Sequence, residues 1–334
     1  MDMSKRVSEY EFFDQKFGME GILDWIQEGL YAKPKRLPTQ LLFDKRGAQL
    51  YETITQLPEN SLAGIENGIL RSNRPKLSQF AESRSVLIKF GRGNLTKTRI
   101  LLDTFEPQSY IPCDYACEPL VEYAQGLFNR YMNVNVYPVC IDNFTNFRIP
   151  TGLVADERVI VFLGSDLGIF SYNQAVSFLR GLIETIGDGG IALIGADLRQ
   201  DPPAIHKTYN DLRGVAARFN LNILEHVNRM TGANFDLAQF RHQATYDEKL
   251  QRVELSLVCI AKHVVSIGGE ELVLENDEQI VTADYYTFTD NEMTSLASST
   301  GWDTIHTWKD SKDRFCVQVL QRNDANLMTL DKPT

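Results

Sequence analysis

Glycines and carboxylates follow three apolar runs of the sequence, and these are the residues whose chemistry matters first. Gly91 and Gly93 come directly after SVLIKF, Asp114 closes YIPCDY, and Asp142 follows the next apolar run. If the three runs are parallel strands, their carboxyl ends meet at the edge where such sheets bind ligands. Glycines let the backbone approach a ligand, Asp114 can accept hydrogen bonds from ribose hydroxyls, and Asp142 can accept one from an adenine amino group. The pattern predicts a nucleoside site.

The spacing of the glycines bears on which nucleoside cofactor would bind. A dinucleotide site needs a third glycine in the pattern G-x-G-x-x-G, so that the helix packs closely beneath a pyrophosphate. Thr96 occupies that position. This favours a cofactor without a pyrophosphate, such as S-adenosylmethionine. A G-x-G pair alone is equally typical of an ordinary turn, so both interpretations of the glycines stay open.

The elements that must position these residues alternate regularly between about residues 85 and 197. Short apolar runs separated by helical patterns predict strands that pair in parallel through right-handed crossovers, and one such strand is expected at Val134 to Val139. We therefore predict an α/β fold with a Rossmann-like sheet. Near the C-terminus, Thr289 and Glu292 have the spacing of a capping box ahead of a helix, and DRFCVQVL reads as a final strand.

The alternation of short strands and helices stops after Asp197, which indicates an insertion. Asp201-Pro202-Pro203 predicts a helix start, and alternation in RVELSLVCIAKHVVSI predicts a long antiparallel strand or hairpin. We expect residues 198–283 to form an inserted α+β substrate domain, and residues 1–197 with 284–325 to form the discontinuous main domain.

Charge and composition narrow the classes of partner. The formal net charge is −10, which disfavours nucleic acid and anionic membranes and favours a small molecule. No apolar run approaches the ~20 residues of a membrane span, and no secretory signal begins the chain, so we expect a cytoplasmic protein. The scattered histidines predict no metal. The five cysteines show no paired framework, and we expect reduced thiols at Cys113, Cys117, Cys140, Cys259 and Cys316.

Five ordered blocks, spread over nearly the whole chain, carry a family resemblance: LPTQLLFDKRGAQLYETITQLPE, GRGNLTKTRILLD, FLGSDLGIF, YNDLRGVAARFNLNILEHVNR and GGEELVLENDEQIVTADYYTFT. The chain resembles the histidine-specific S-adenosylmethionine-dependent methyltransferases, which trimethylate the α-amino group of histidine in ergothioneine biosynthesis. The resemblance implies a methyltransferase sheet and S-adenosylmethionine as cofactor, with Tyr209 facing the substrate. With Gly93 of the same turn, the candidate cofactor residues are Gly91, Gly93, Lys97, Asp114, Asp142 and Asn143.

The chain departs from the family's pattern at the glycine turn. Where the family usually reads ELGSGTS, Lys89 replaces the acidic residue and Arg92 follows the first glycine. A cation close to a sulfonium is unfavourable unless it is paired or turned away. The position of the Lys89 ammonium group therefore decides whether the turn suits S-adenosylmethionine.

The substrate motifs depart as well. Ile169 stands where the family has asparagine, Ala283 where it has glutamate, and Tyr285 where it has serine. Leu62, Ala63 and Gly64 replace Pro-Thr-Arg, Asn60 and Ser61 replace a pair of tyrosines, and Phe43 replaces another. Asp284 could restore a carboxylate one residue later, although successive strand residues face opposite sides. The candidate substrate-binding residues are Phe43, Ser61, Ile169, Tyr209, Ala283, Asp284 and Tyr285.

Two hypotheses follow from these matches and departures. Loss of the polar groups disfavours histidine, because its hydrogen-bonding groups would be left unpaired in the site. The first hypothesis is therefore an N-methyltransferase acting on an amino acid, or an amino-acid-derived small molecule, other than histidine. The alternative is a catalytically inactive methyltransferase-like protein that acts as a binding or regulatory subunit with a protein partner.

Overall fold

The computed structural model describes residues 12–15, 19–60, 62–80, 85–91, 95–141, 147–150, 158–186, 189–199 and 201–323. Its strands, in chain order, are β1 (Phe13–Gln15), β2 (Lys35–Arg36), β3 (Ser85–Phe90), β4 (Ser109–Asp114), β5 (Asn135–Val136), β6 (Val139–Ile141), β7 (Arg158–Gly164), β8 (Ile191–Asp197), β9 (Phe240–Asp247), β10 (Arg252–Cys259), β11 (His263–Ile267), β12 (Glu270–Leu274), β13 (Gln279–Tyr286), β14 (Trp302–Lys309) and β15 (Phe315–Arg322).

The α-helices, in chain order, are α1 (Met19–Tyr31), α2 (Lys45–Ile54), α3 (Leu62–Ser72), α4 (Arg74–Leu77), α5 (Leu95–Phe105), α6 (Cys117–Arg130), α7 (Tyr172–Ile186), α8 (Pro202–Tyr209), α9 (Val215–Thr231) and α10 (Asp290–Ser299). Single 3₁₀ turns lie at Thr39–Leu42, Ser78–Phe80, Ser165–Ile169 and Leu237–Gln239. None of the described helices has the length and apolar character that crossing a bilayer requires.

Within the described residues, the larger sheet has nine strands in the order β1-β6-β4-β3-β7-β8-β15-β14, with β5 beside β4. The strands from β1 to β8 pair in parallel, whereas β15 runs antiparallel to both β8 and β14. Every residue of β3 is buried, as a parallel strand covered on both faces requires. The predicted α/β fold with a Rossmann-like sheet is confirmed. Its strand order reverses between β3 and β7, where such sheets bind ligands.

The strand predicted from Val134 to Val139 is in fact two short strands. β5 ends at Val136 and β6 begins at Val139, with Pro138 between them. Proline has no backbone N–H to donate to a ladder, so it interrupts regular pairing. After this interruption, β6 pairs with β4 at Cys113 and Asp114, at the carboxyl end of β4.

A second sheet has the order β2-β13-β10-β9. β9, β10 and β13 are antiparallel, and β2 from the N-terminal part joins β13 in parallel. The run RVELSLVCIAKHVVSI divides between two sheets, because β10 belongs to this sheet while β11 pairs with β12. Residues of α1 and α2, including Ile26 and Ile54, share a core with α9 and the second sheet. We keep the domain boundaries at 197/198 and 283/284 as a proposal, with N-terminal segments packed against the inserted region.

The predicted capping box at the start of α10 is present. Thr289 Oγ1 accepts a hydrogen bond from the Glu292 backbone N–H, and the Glu292 carboxylate accepts one from the Thr289 backbone N–H at 2.7 Å. These two bonds satisfy N–H groups that would otherwise have no partner at the helix start.

We expect Thr289→Ala to lower the free energy of unfolding by about 1 kcal/mol, because the cap hydrogen bond is lost. Urea denaturation monitored by circular dichroism measures this change. Thr294→Ala, the same substitution farther along α10 where the hydroxyl donates to the Asp290 carbonyl oxygen, is the matched control. A loss in the control as large as in Thr289→Ala would show that the cap contributes nothing specific.

Candidate active site

The carboxyl edge of the larger sheet brings the glycine turn and two strand ends together. Gly91 follows β3 with φ of +69°, a left-handed conformation that glycine adopts without strain. Asp114 ends the neighbouring strand β4, and Ile141 ends β6 beyond it. Asp114 is half-buried, and its Oδ1 accepts a hydrogen bond from the Ala116 backbone N–H at 2.9 Å. Four further residues of this edge, Arg92, Gly93, Asp142 and Asn143, lie outside the described residues.

Lys97 lies deeper than a surface cofactor contact would. Its side chain is almost fully buried on α5 and forms an ion pair with Glu66 of α3, which is fully buried. The Lys97 ammonium also lies 5.5 Å from the centre of the Phe162 ring. An ion pair in this position is costly to break, because either charge left alone would be buried without a counter-charge.

Lys89 and Asp166 complete a group of five ionisable side chains that we call the charge cluster: Glu66, Lys89, Lys97, Asp114 and Asp166. The Lys89 ammonium donates a hydrogen bond to the Gly91 carbonyl oxygen and is 1% exposed. Burial, followed by repulsion from Lys97, lowers the pKa of Lys89 to about 8. Two ammonium groups and three carboxylates sum formally to −1 when all are ionised.

Asp166 lies in the 3₁₀ turn after β7, and its carboxylate lies against Gly91. A Cβ added at Gly91 would overlap this carboxylate. Burial raises the pKa of Asp166 to about 6, although the positive charges of Lys97 and Lys89 oppose the shift. The sequence analysis missed this residue. Its signal was its position directly after FLGS, at the end of the strand next to β3, where the strand order reverses.

Among the cavities that the described residues line near this edge, two bear on the site. The larger has a volume of about 810 Å³ and runs from Tyr115 and Ile141 at the sheet edge to Trp25 of α1 and His226 of α9. The smaller has a volume of about 100 Å³ and lies between the two sheets. We call it the aromatic cavity, because its walls include five aromatic side chains, Tyr51, Tyr209, Phe219, Tyr285 and Tyr286.

Three of the predicted substrate residues line the aromatic cavity. Ile169 comes from the 3₁₀ turn, Tyr209 from α8 and Tyr285 from β13, and the rings of Tyr209 and Tyr285 stack with centroids 5.5 Å apart. Phe43 lines the larger cavity, and its ring contacts those of Tyr51 and Phe219 in the cavity wall at 5.5 and 5.4 Å. Phe43 thus lies between the two cavities.

The other predicted substrate residues are not brought to the aromatic cavity by the described contacts. Ala283 is fully buried in the core beneath the second sheet, opposite Leu255. Asp284 points to the other face of β13, where it forms ion pairs with Arg36 at 3.0 Å and Arg252 at 3.3 Å. Ser61 lies outside the described residues. A role for Ala283 or Asp284 in binding substrate stays a prediction.

Asp197, at the end of β8, is a second carboxylate in the wall of the aromatic cavity. Arg199 holds it from two positions, with Nε 2.9 Å from Oδ1 and a terminal nitrogen 2.7 Å from Oδ2. The other terminal nitrogen of Arg199 donates to Thr208 Oγ1 at 2.8 Å. The negative charge of Asp197 is therefore neutralised within the protein.

The expectation of reduced thiols is wrong for two cysteines. Cys117 and Cys140 form a disulfide, with Cα atoms 5.3 Å apart. The pairing of β4 with β6 brings Cys140 beside the end of β4, from which Cys117 follows at the start of α6. Sequence spacing could not show this proximity, because it arises from strand pairing. Cys113, Cys259 and Cys316 are free and buried.

The parallel sheet, the glycine turn at its switch point and the adjoining cavities form a Rossmann-like ligand-binding domain. The model of the family described as "Histidine-specific methyltransferase, SAM-dependent" matches residues 22–322, and the chain belongs to that family. S-adenosylmethionine is accordingly its cofactor.

The proteins similar to this chain include one named for methylation of histidine and one named for methylation of L-tryptophan. The chain is 29% identical to the histidine N-alpha-methyltransferase of Mycobacterium tuberculosis, over 94% of this chain and 99% of that protein. It is 25% identical to the L-tryptophan methyltransferase trpM of Psilocybe serbica, over 90% of this chain and 92% of that protein. Among solved structures, the CcbJ methyltransferase from Streptomyces caelestis matches 76% of this chain and 89% of that chain, with 15% identity and a TM-score of 0.45.

The raised pKa of Asp166 predicts a pH-dependent stability difference. A carboxyl whose folded-state pKa is about 6, against about 3.9 in an unfolded chain, favours folding below pH 4, and this contribution is lost as pH rises through 6. We expect Asp166→Asn to gain about 1 to 2 kcal/mol in free energy of unfolding, relative to wild type, between pH 4.5 and pH 7. Urea denaturation at each pH measures it.

The control for this measurement is Asp24→Asn, the same chemical change at an exposed position of α1. A relative stability of Asp166→Asn that stays constant between pH 4.5 and pH 7, or that changes no more than in the control, would contradict the electrostatic description of the charge cluster.

Proposed function

We propose that the protein transfers a methyl group from S-adenosylmethionine to the nitrogen of an amino acid, or an amino-acid-derived amine, other than histidine. The observation that carries the proposal is the aromatic cavity beside the glycine turn. Ile169 and Tyr285 line it, at positions where the family pattern has asparagine and serine. A cavity of this composition favours an apolar or aromatic side chain.

The described residues fit the cofactor on two counts. The charge cluster sums to −1, opposite in sign to a sulfonium, and Lys89 is turned toward the Gly91 carbonyl oxygen. The larger cavity, beyond Asp114, has the size of a small-molecule site. When bound, S-adenosylmethionine supplies an electrophilic methyl group. Gly91 and Asp114 would hold it, with Gly93, Asp142 and Asn143 as further candidates and Lys97 acting through the charge cluster.

For methyl transfer, the protein mainly has to position the acceptor nitrogen and exclude water from the site. A neutral nitrogen must be held in line with the methyl group, with water excluded. Burial raises the pKa of Tyr209 and that of Tyr285, so both phenols stay neutral and can donate hydrogen bonds to an acceptor. The similarity to the L-tryptophan methyltransferase trpM supports an aromatic acceptor.

Methyl transfer to a panel of acceptors tests the proposal directly. The panel contains L-tryptophan, L-tyrosine, L-leucine, tryptamine, tyramine and L-histidine, each with purified protein and S-adenosylmethionine, and mass spectrometry detects the product. We expect an aromatic or aliphatic member to be methylated and histidine to react at least about tenfold more slowly, because each missing polar contact costs ~1 to 3 kcal/mol. Robust formation of trimethylhistidine would refute this. Cofactor binding without any methylation would favour the inactive alternative.

Asp114→Asn tests the cofactor assignment. The amide oxygen can still accept from the Ala116 N–H, so the turn after β4 is kept, while the charged acceptor for ribose hydroxyls is lost. We expect S-adenosylmethionine to bind about tenfold to hundredfold more weakly by calorimetry, with little change in melting temperature. Glu122→Gln, an exposed carboxylate on α6, is the control and should bind like wild type. Equal affinity in Asp114→Asn would place the ribose elsewhere.

A further inference from the structure

Asp166 lies between the glycine turn and the aromatic cavity. Its carboxylate lies against Gly91 on one side, and on the other side it lines the aromatic cavity with Tyr51 and Tyr285. The negative charge of Asp166 contributes to raising the pKa of both phenols, after burial. A group in this position can reach an acceptor nitrogen that faces the glycine turn.

Among the described residues, Asp166 interacts electrostatically with Lys97 and Lys89, and it lines the aromatic cavity. The ammonium groups nearest to it already have partners, since Lys89 donates to the Gly91 carbonyl oxygen and Lys97 pairs with Glu66. A carboxylate at a cavity wall whose neighbouring ammonium groups are bound to other groups can accept hydrogen bonds from a cationic ligand.

The other carboxylate of the aromatic cavity does not have this property. Asp197 is held by Arg199 through both carboxylate oxygens. An incoming cation would therefore compete with a guanidinium at Asp197, whereas at Asp166 it would meet a carboxylate whose neighbouring ammonium groups are bound to other groups. The structure thus distinguishes two acidic residues that a sequence pattern would treat alike.

We propose that Asp166 binds the ammonium group of the methyl acceptor and takes its proton. This rests on the proposed function, and it identifies the acceptor as an amine that enters the site as a cation. Burial brings the pKa of Asp166 to about 6, closer to that of an amine than an ordinary carboxyl, which suits it to accept a proton.

The proton step balances without a further reactant. An N–H bond of the ammonium breaks, an O–H bond forms on Asp166, and the electron pair stays on nitrogen. That pair forms the new N–CH₃ bond as the S–CH₃ bond of the sulfonium breaks with its electrons remaining on sulfur. The product leaves as a methylated ammonium, and Asp166 returns its proton to solvent.

The groups that face Asp166 come from six elements. They are Lys89 of β3, Lys97 of α5, Glu66 of α3 and Asp114 of β4, and the phenols of Tyr51 and Tyr285 face it from the cavity. The two phenols have pKa values raised by burial, and that of Lys89 is about 8. Between pH 5 and pH 7, Asp166 therefore changes charge, whereas Lys89 and the two phenols do not.

Calorimetric titration with tryptamine, in the presence of S-adenosylhomocysteine, tests the proposal without methyl transfer. We expect wild type to bind tryptamine more tightly at pH 7 than at pH 5, and Asp166→Asn to bind it about tenfold to hundredfold more weakly at pH 7 with no such pH dependence. The ligand 3-ethylindole has the same ring system without the amino group, and its affinity should not change in the variant. Glu52→Gln, an exposed carboxylate on the helix that carries Tyr51, should behave as wild type.

Equal tryptamine affinity in wild type and Asp166→Asn would overturn the proposal, as would a failure of wild type to bind either tryptamine or tyramine. An equal loss of tryptamine and 3-ethylindole would indicate a structural role and would also overturn it. If Asp166-dependent amine binding is found but the acceptor panel yields no methylated product, the proposed function fails while the ammonium site stands. If members of the panel are methylated and Asp166→Asn changes neither the rate nor the affinity for the amine, the ammonium site fails while the proposed function stands.

Discussion

The buried ion pair between Lys97 and Glu66 is the constraint on which the rest of the site depends. Two buried opposite charges stabilise a fold only when each has the other, so α3 and α5 must approach the sheet edge together. Gly164, at the end of β7, makes room for this pair: its φ is +60°, and a Cβ there would lie 2.6 Å from Glu66 Oε1. The pair therefore fixes the end of β7, and with it the turn that carries Asp166.

The charge cluster also explains how a lysine can occupy a position that the family usually gives to an acid. Lys89 adds a positive charge beside the glycine turn, but its ammonium is bound by the Gly91 carbonyl oxygen and faces the carboxylate of Asp166. The negative charge is supplied from β7 instead of β3. Because the interaction depends on distance and not on which strand carries the acid, the edge keeps a sign compatible with a sulfonium.

The proposed function assigns substrate selection to the aromatic cavity, which lies where the two sheets meet. Tyr285 comes from the second sheet, Tyr209 from α8, and Ile169 from the turn after β7. The turn after β7 and the end of β13 approach each other closely, since a Cβ at Gly168 would lie 3.1 Å from the Tyr286 carbonyl oxygen. The edge of the first sheet can thus stay the same while a change on the second sheet, such as Tyr285, alters the aromatic cavity.

The sequence by itself determined the local features. Fully apolar runs predicted the parallel strands, the spacing of Thr289 and Glu292 predicted the capping box, and ordered motifs predicted the family. These follow from neighbours in the chain. Tertiary structure alone decided which distant groups meet: the disulfide of Cys117 and Cys140, the ion pair of Lys97 with Glu66, and the carboxylate of Asp166 against Gly91. Whether a charge is paired depends on elements packed from far along the chain, and no spacing rule contains that information.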